Sequence, residues 1–488
     1  MKSKKTISLK NSLIVFSFIF ILIILFSCSK DPAIPVYGDY PKEIGKIFAN
    51  KCSTPGCHNT ASYKACADLN LSSFATLFEG SNNGSPVIPF RSDFSSLCYF
   101  INSYSQLGPI NLPTMPINEN PLSEAEVRTI KNWIDKGAPD INGKIMWADN
   151  PERKKYYVLN QGCDVVTVFD AETQLPMRYI TVGNKESSDL PHMIKTSPDG
   201  KYWYVVFVAN NILQKYKTSD DSFVGEVSLG TSQNWNTIVI SDDSKKAYCV
   251  AWQANSRLAV VDVEHMTLKY NVGGGNFTDA HGVALNKTND TIYITRQTGN
   301  YIFKIDTALN GFIEVPLDGS SVPNQTSSLD PHEISFSPDG SKYFVTCQKS
   351  NEVRVMSTGR DELLQIINTG QYPLEMTKSI TKNKLYVSCQ NEPGVTANSK
   401  GCINVIDMTN YQNIKYMVGY EPHGIALDED NGFVIVASRN TGITGPAPHH
   451  TGVCGRNGFV NYFNINTMQL LSKKTEVASD PYSITFKP

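Results

Sequence analysis

The chain is 488 residues long, 41% apolar and 18% charged, with a formal net charge of −2. That length exceeds one average domain and fits roughly two to four. A near-neutral, slightly acidic balance without a basic run argues against nucleic-acid binding.

Residues 1–27 place Lys2, Lys4, Lys5 and Lys10 ahead of an apolar run from Leu13 to Phe26. The run is short for a bilayer-crossing helix, which needs about 20 residues, and suits the core of a signal peptide. Leu25-Phe26-Ser27-Cys28 then resembles a bacterial lipobox. The resemblance implies cleavage before Cys28, acylation of Cys28, and a mature chain tethered to a membrane in the bacterial cell envelope, at the outer membrane or facing the periplasm. An uncleaved N-terminal anchor is the alternative. Residues 28–40 read as a polar, proline-containing tether. Disulfides are permitted outside the cytosol, and Cys66 and Cys98, close in sequence, are expected to pair. The remaining cysteines, Cys163, Cys249, Cys347, Cys389, Cys402 and Cys454, allow many pairings.

Residues 41–142 open on a helix predicted from Ile44, Ile47 and Phe48, which fall on one face. "KCSTPGCHNT" follows, with Cys52, Cys57 and His58. A histidine directly after the second of two cysteines is the spacing of a covalent haem anchor, here with two more intervening residues than the usual pattern. The insert "STPG" is turn-forming. Two ordinary extracellular cysteines beside a chance histidine is the competing reading. Further on, Pro113, Met115 and Pro116 share a loop, and a second helix is expected from a capping box at Ser123 and Glu126. Its apolar stripe is Val127, Ile130 and Ile134, and Gly137 ends it. This order resembles a small monohaem cytochrome c over about residues 41–140, which implies a small all-α fold with covalent haem c. Cys52 and Cys57 then hold the porphyrin and His58 the iron. Within this stretch no other histidine follows His58, and Met115 is the one methionine. It is therefore read as the second iron ligand, with simple loop packing beside an open iron site as the alternative.

Residues 150–488 are repetitive. Segments such as "PHMIKTSPDGKYWYVVF", "PHEISFSPDGSKYFVTC" and "PHGIALDEDNGFVIVAS" align on His192, Asn236, His281, His332, Leu374, His423 and Tyr482, at intervals of 44, 45, 51, 42, 49 and 59 residues. Periods of this length with short alternating strands predict an all-β seven-bladed propeller. One C-terminal strand in "DPYSITFKP" should join three strands from 154–183 to close the ring. The phrasing resembles the YVTN-type propeller repeat.

His192, His281, His332 and His423 share one phase and are expected at a mouth of the central channel. Two readings stay open: a transition-metal site, with Asp279, Asp330 and Glu421 orienting the imidazoles, or a repeat consensus in which each histidine bonds the neighbouring blade. A loop insertion at 441–458 carries His449, His450 and Cys454, suited to capping the channel, docking the haem domain or binding metal; the alternative is a solvated loop pinned by a Cys454 disulfide. The glycines of "NVGGGNFTD" end a strand rather than open a helix, so phosphate binding is not expected. The functional expectation is electron transfer through haem, with the propeller docking a redox partner protein of the cell envelope. The alternatives are an oxidoreductase with a catalytic metal at the channel, fed by the haem, and a non-redox surface binding protein.

Overall fold

The computed structural model describes residues 37–487 apart from 185, 231–233, 393–399 and 450–452. The signal segment, Cys28 and most of the tether lie outside the described residues, as does His450. No helix among the described residues is long and apolar enough to cross a membrane.

The N-terminal unit is built on helices α1 (Lys42–Lys51), α2 (Phe74–Leu77), α3 (Ser96–Ile101) and α4 (Glu124–Asp135). Helix α1 buries Ile44, Ile47 and Phe48, the face that the spacing predicts. Helix α4 begins at the capping box: Ser123 N–H donates to Glu126 at 2.8 Å and Glu126 N–H to Ser123 Oγ at 3.3 Å. It buries Val127, Ile130, Trp133 and Ile134 and stops before Gly137, whose φ of 96° needs no Cβ to be avoided. Tyr40, Phe48 and Trp133 meet edge to face between α1 and α4, joining the two helices.

Seven four-stranded antiparallel sheets follow. Blade 1 combines Pro481–Phe486 with Lys155–Asn160, Val165–Asp170 and Leu175–Thr181, so the ring closes by the split blade that the repeat arithmetic requires. Blades 2 to 7 begin at Pro191, Trp235, Ala280, Pro331, Gln371 and Pro422. Inner and middle strands are buried on both faces because blades stack on each other. Met193 and Tyr204 of blade 2, for example, share a core with Trp235 and Cys249 of blade 3. Outermost strands such as Phe223–Ser228 are largely exposed.

Every blade-to-blade connection ends in the same way. The residue two positions before each aligned position has a positive φ: Leu190, Asn234, Asp279, Asp330, Tyr372, Glu421 and Asp480, at 50° to 61°. Asp and Asn tolerate this left-handed region better than most side chains, which explains their presence there. Their carboxylates serve neighbours other than the imidazoles. Asp279 pairs with Arg296 at 3.0 Å, Glu421 accepts from Thr441, and Asp480 pairs with Arg439 at 2.6 Å. Asp330 stands near Lys349 at 3.6 Å. The expected orienting role of Asp279, Asp330 and Glu421 is thus replaced by a backbone role.

Cys66 and Cys98 do not pair. Cys98 is buried on α3 within the helical core, whereas Cys66 ends a turn and points its thiol at the Gly56 carbonyl, 3.6 Å away. Cys163 instead bonds Cys454, linking the first hairpin of blade 1 to the 441–458 loop of blade 7 across the closure seam.

The helical unit packs on that same seam. Leu175 and Met177 of blade 1 belong to its core. Phe94 stacks on Tyr179 at 4.4 Å, and Arg91 donates to the Tyr179 carbonyl at 3.0 Å.

Candidate functional site

Cys52 follows directly on the end of α1, where its N–H donates to Phe48 O. From there the chain folds back on itself: Cys57 N–H donates to Thr54 O and His58 N–H to Cys52 O, at 3.0 and 3.1 Å. Gly56, with φ of 83° and open space around it, makes the turn. The two-residue insertion is thereby accommodated in a loop, and Cys52 and His58 remain adjacent through the backbone.

His58 Nδ1 lies 3.0 Å from the Leu69 carbonyl. Since a carbonyl only accepts, the proton sits on Nδ1 and the lone pair on Nε2. Burial holds the imidazole below its ordinary pKa, so it is neutral at pH 7. Cys52 is pushed up to about 12, first by burial and then by the proximity of Cys57. Met115 is half-buried, packs against the helical core and is tied by its N–H to the Phe100 carbonyl at 2.7 Å.

Cys52, Cys57, His58 and Met115 line one cavity of about 500 Å³. Its walls are mainly apolar, including Leu69, Leu71, Leu97, Phe100 and Leu122. Among the described residues, one wall residue comes from the propeller. His449, on the inserted loop, lines the cavity, lies 5.1 Å from the Phe100 ring and accepts from the Asn83 amide at 3.3 Å. Of the three roles expected for this loop, docking the helical unit is the one its contacts match. His449 lies 391 residues beyond His58 in sequence, so its place on this particular wall is not local information. The paired histidines at 449 and 450 marked the loop as unusual, but its destination depends on tertiary folding. Cys66 also lines the cavity, as a third thiol.

The four same-phase histidines come together at the channel. Ring centroids run from His192 to His281 at 6.4 Å, to His332 at 4.0 Å and to His423 at 6.3 Å. Tyr482 completes the circuit at 3.7 Å from His423 and 4.3 Å from His192. The blade-bonding reading holds for two of them: His281 Nδ1 donates to the His332 carbonyl at 3.1 Å, and His423 Nδ1 to the Tyr482 carbonyl at 2.9 Å. Burial lowers the pKa of His281 to about 4. Next in sequence to His332 and Leu374, Glu333 is half-buried and Glu375 buried, and desolvation raises both, Glu333 to about 8. Neither carboxylate stands out in the sequence, because each directly follows the aligned residue of its repeat, His332 or Leu374, inside an ordinary strand.

The architecture defines the class: a β-propeller of seven blades with a helical unit packed on its seam. No family model and no curated protein matches the chain. Among solved structures, the chain is similar to a functionally unknown protein from Desulfotomaculum acetoxidans, at 17% identity and a TM-score of 0.51, over 68% of this chain and 98% of that one. It is also similar to Kuenenia stuttgartiensis hydrazine synthase, at 14% identity and a TM-score of 0.49, over 63% of this chain and 92% of that one. At 17% identity the likeness to the Desulfotomaculum acetoxidans protein concerns the fold alone.

Proposed function

We propose that residues 41–142 form a c-type cytochrome domain and that the protein transfers electrons in the bacterial cell envelope, held to a membrane through Cys28. The observation that carries this reading is the convergence of Cys52, Cys57, His58 and Met115 on one apolar cavity of about 500 Å³, within the size range of cofactor sites. Cys52 and Cys57 would hold haem c covalently, and His58 Nε2 and the Met115 sulfur would be the iron ligands. When bound, haem c supplies a one-electron iron couple, and His/Met ligation favours a high potential.

The chain's own residues suit that task. The Leu69 carbonyl fixes the His58 tautomer, as the outer partner of a metal-bound imidazole does. The apolar walls exclude water, which favours the less charged, reduced state. Leu112 and Ile117, 82% and 50% exposed, lie on the Met115 loop and give a redox partner protein an apolar rim to meet. The propeller serves as the docking platform, closing the cavity with His449. The Cys163–Cys454 bond supports an oxidising compartment.

Mass spectrometry of the peptide spanning Cys52 and Cys57 tests the proposal, with the protein expressed where export and haem attachment operate. A haem-sized adduct on that peptide is expected. Two free or mutually bonded thiols there would overturn it and favour a non-redox binding protein.

A further inference from the structure

The channel ring holds a second group of donors, independent of the haem reading. We infer that His281, His332 and Glu333 form a binding site for a divalent first-row transition ion, with an open coordination position facing the propeller channel.

One donor atom from each of these residues lies within 4.8 Å of the others, and His281 and His332 are 6% and 2% exposed. Side-chain rotation closes such spacing toward the about 3.3 Å separation of donors around a tetrahedral ion. His281 donates from Nδ1 to the His332 carbonyl, so its lone pair is at Nε2. A backbone carbonyl on the outer nitrogen is the usual support of a metal-bound imidazole. The same carbonyl accepts from Thr295 Oγ1 at 2.8 Å, so the backbone beneath the site is held from two sides.

The ring region also collects buried polar atoms with unused capacity. Among the described residues, Glu333 Oε2, Glu375 Oε1 and both side-chain atoms of Asn236 have no hydrogen-bond partner. Folded proteins leave few such atoms, and each calls for a ligand, ion or water. A cation between the imidazoles engages Glu333 Oε2 directly. Two imidazoles and a carboxylate suit zinc, iron, nickel or copper better than calcium or magnesium.

His192 is outside the donor set, because the Gln161 amide donates to its Nδ1 at 2.8 Å and leaves the proton on Nε2. His423 is packed on Tyr482. The site is therefore narrower than the four-histidine ring. Glu333 also lines a channel cavity of about 570 Å³ with Lys195, Glu375 and Lys378. Three protein donors with a fourth position toward a cavity is the form of a metal site that takes an exogenous ligand.

The test titrates zinc chloride calorimetrically into full-length protein stripped of loosely held metal with a chelator. One site per chain is expected, weakened at least tenfold in Glu333→Gln and in His332→Gln and unchanged in His265→Gln, a surface histidine of blade 3. Zinc should raise the melting temperature of the wild type and of His265→Gln but not of the other two variants. If His332→Gln fails to fold, Glu333→Gln carries the test. Absence of saturable binding in the wild type, or full affinity in Glu333→Gln, would overturn the inference. The haem spectrum is read alongside and is unaffected by Glu333→Gln, so the two readings fail separately.

Discussion

At Ser337 the hydroxyl donates to Asp339 at 2.6 Å, and the Ser341 N–H donates to the same carboxylate oxygen at 3.1 Å. Ser197/Asp199 and Ser241/Asp243 repeat this arrangement in other blades. The Ser337 hydroxyl bond, then that of the Ser341 hydroxyl at 2.7 Å and lastly the Ser341 N–H, hold the Asp339 carboxyl below the usual carboxylate range. A carboxyl depressed in the folded state adds stability that is present above its unfolded pKa, about 3.9, and fades as pH falls through the folded value. Thermal unfolding should therefore shift downward between about pH 4 and pH 2. Asp339→Ala should lose about 1 kcal/mol or less at pH 7, given its exposure, and should show a smaller pH dependence over that range. Equal pH slopes in the two proteins would contradict this. The signal for such turns, as in "SPDG", is local because their hydrogen bonds span a few residues. The purpose of Asp279 and Asp330 was not legible, since a left-handed backbone and an imidazole partner favour the same residue type.

At the scale of elements, the 441–458 loop connects the two halves of the molecule. Cys454 anchors it to blade 1, His449 N–H donates to Glu476 at 2.7 Å, and the His449 ring reaches the cavity wall. A disulfide closing so long a stretch, 291 residues, stabilises mainly by restricting the unfolded chain, typically by about 2–4 kcal/mol. Cys454→Ser should lower the melting temperature and expose the loop to proteolysis while the helical unit stays folded. An unchanged cleavage pattern would show that the bond does not hold the loop. Sequence proximity suggested pairing Cys66 with Cys98, but a disulfide needs facing Cβ atoms, which only the fold provides. Helices α1 and α4 were legible down to the capping box, because their signals are local.

At the scale of the whole molecule, the period of the repeats and the divided blade conveyed seven blades and their closure, since stacking imposes nearly the same length on every unit. How the helical unit sits on the seam between blades 1 and 7 was not legible. It depends on contacts such as Asn83 with His449, 366 residues apart. That placement yields one cavity built by the helical unit and completed by the propeller. The most direct test is a reduced-minus-oxidised visible spectrum of the full-length protein, exported and matured in a haem-attaching host. The sharp reduced bands of a c-type cytochrome are expected in the wild type, with their loss or broadening in His58→Ala. A colourless wild type, or an identical spectrum in the variant, would contradict the haem assignment.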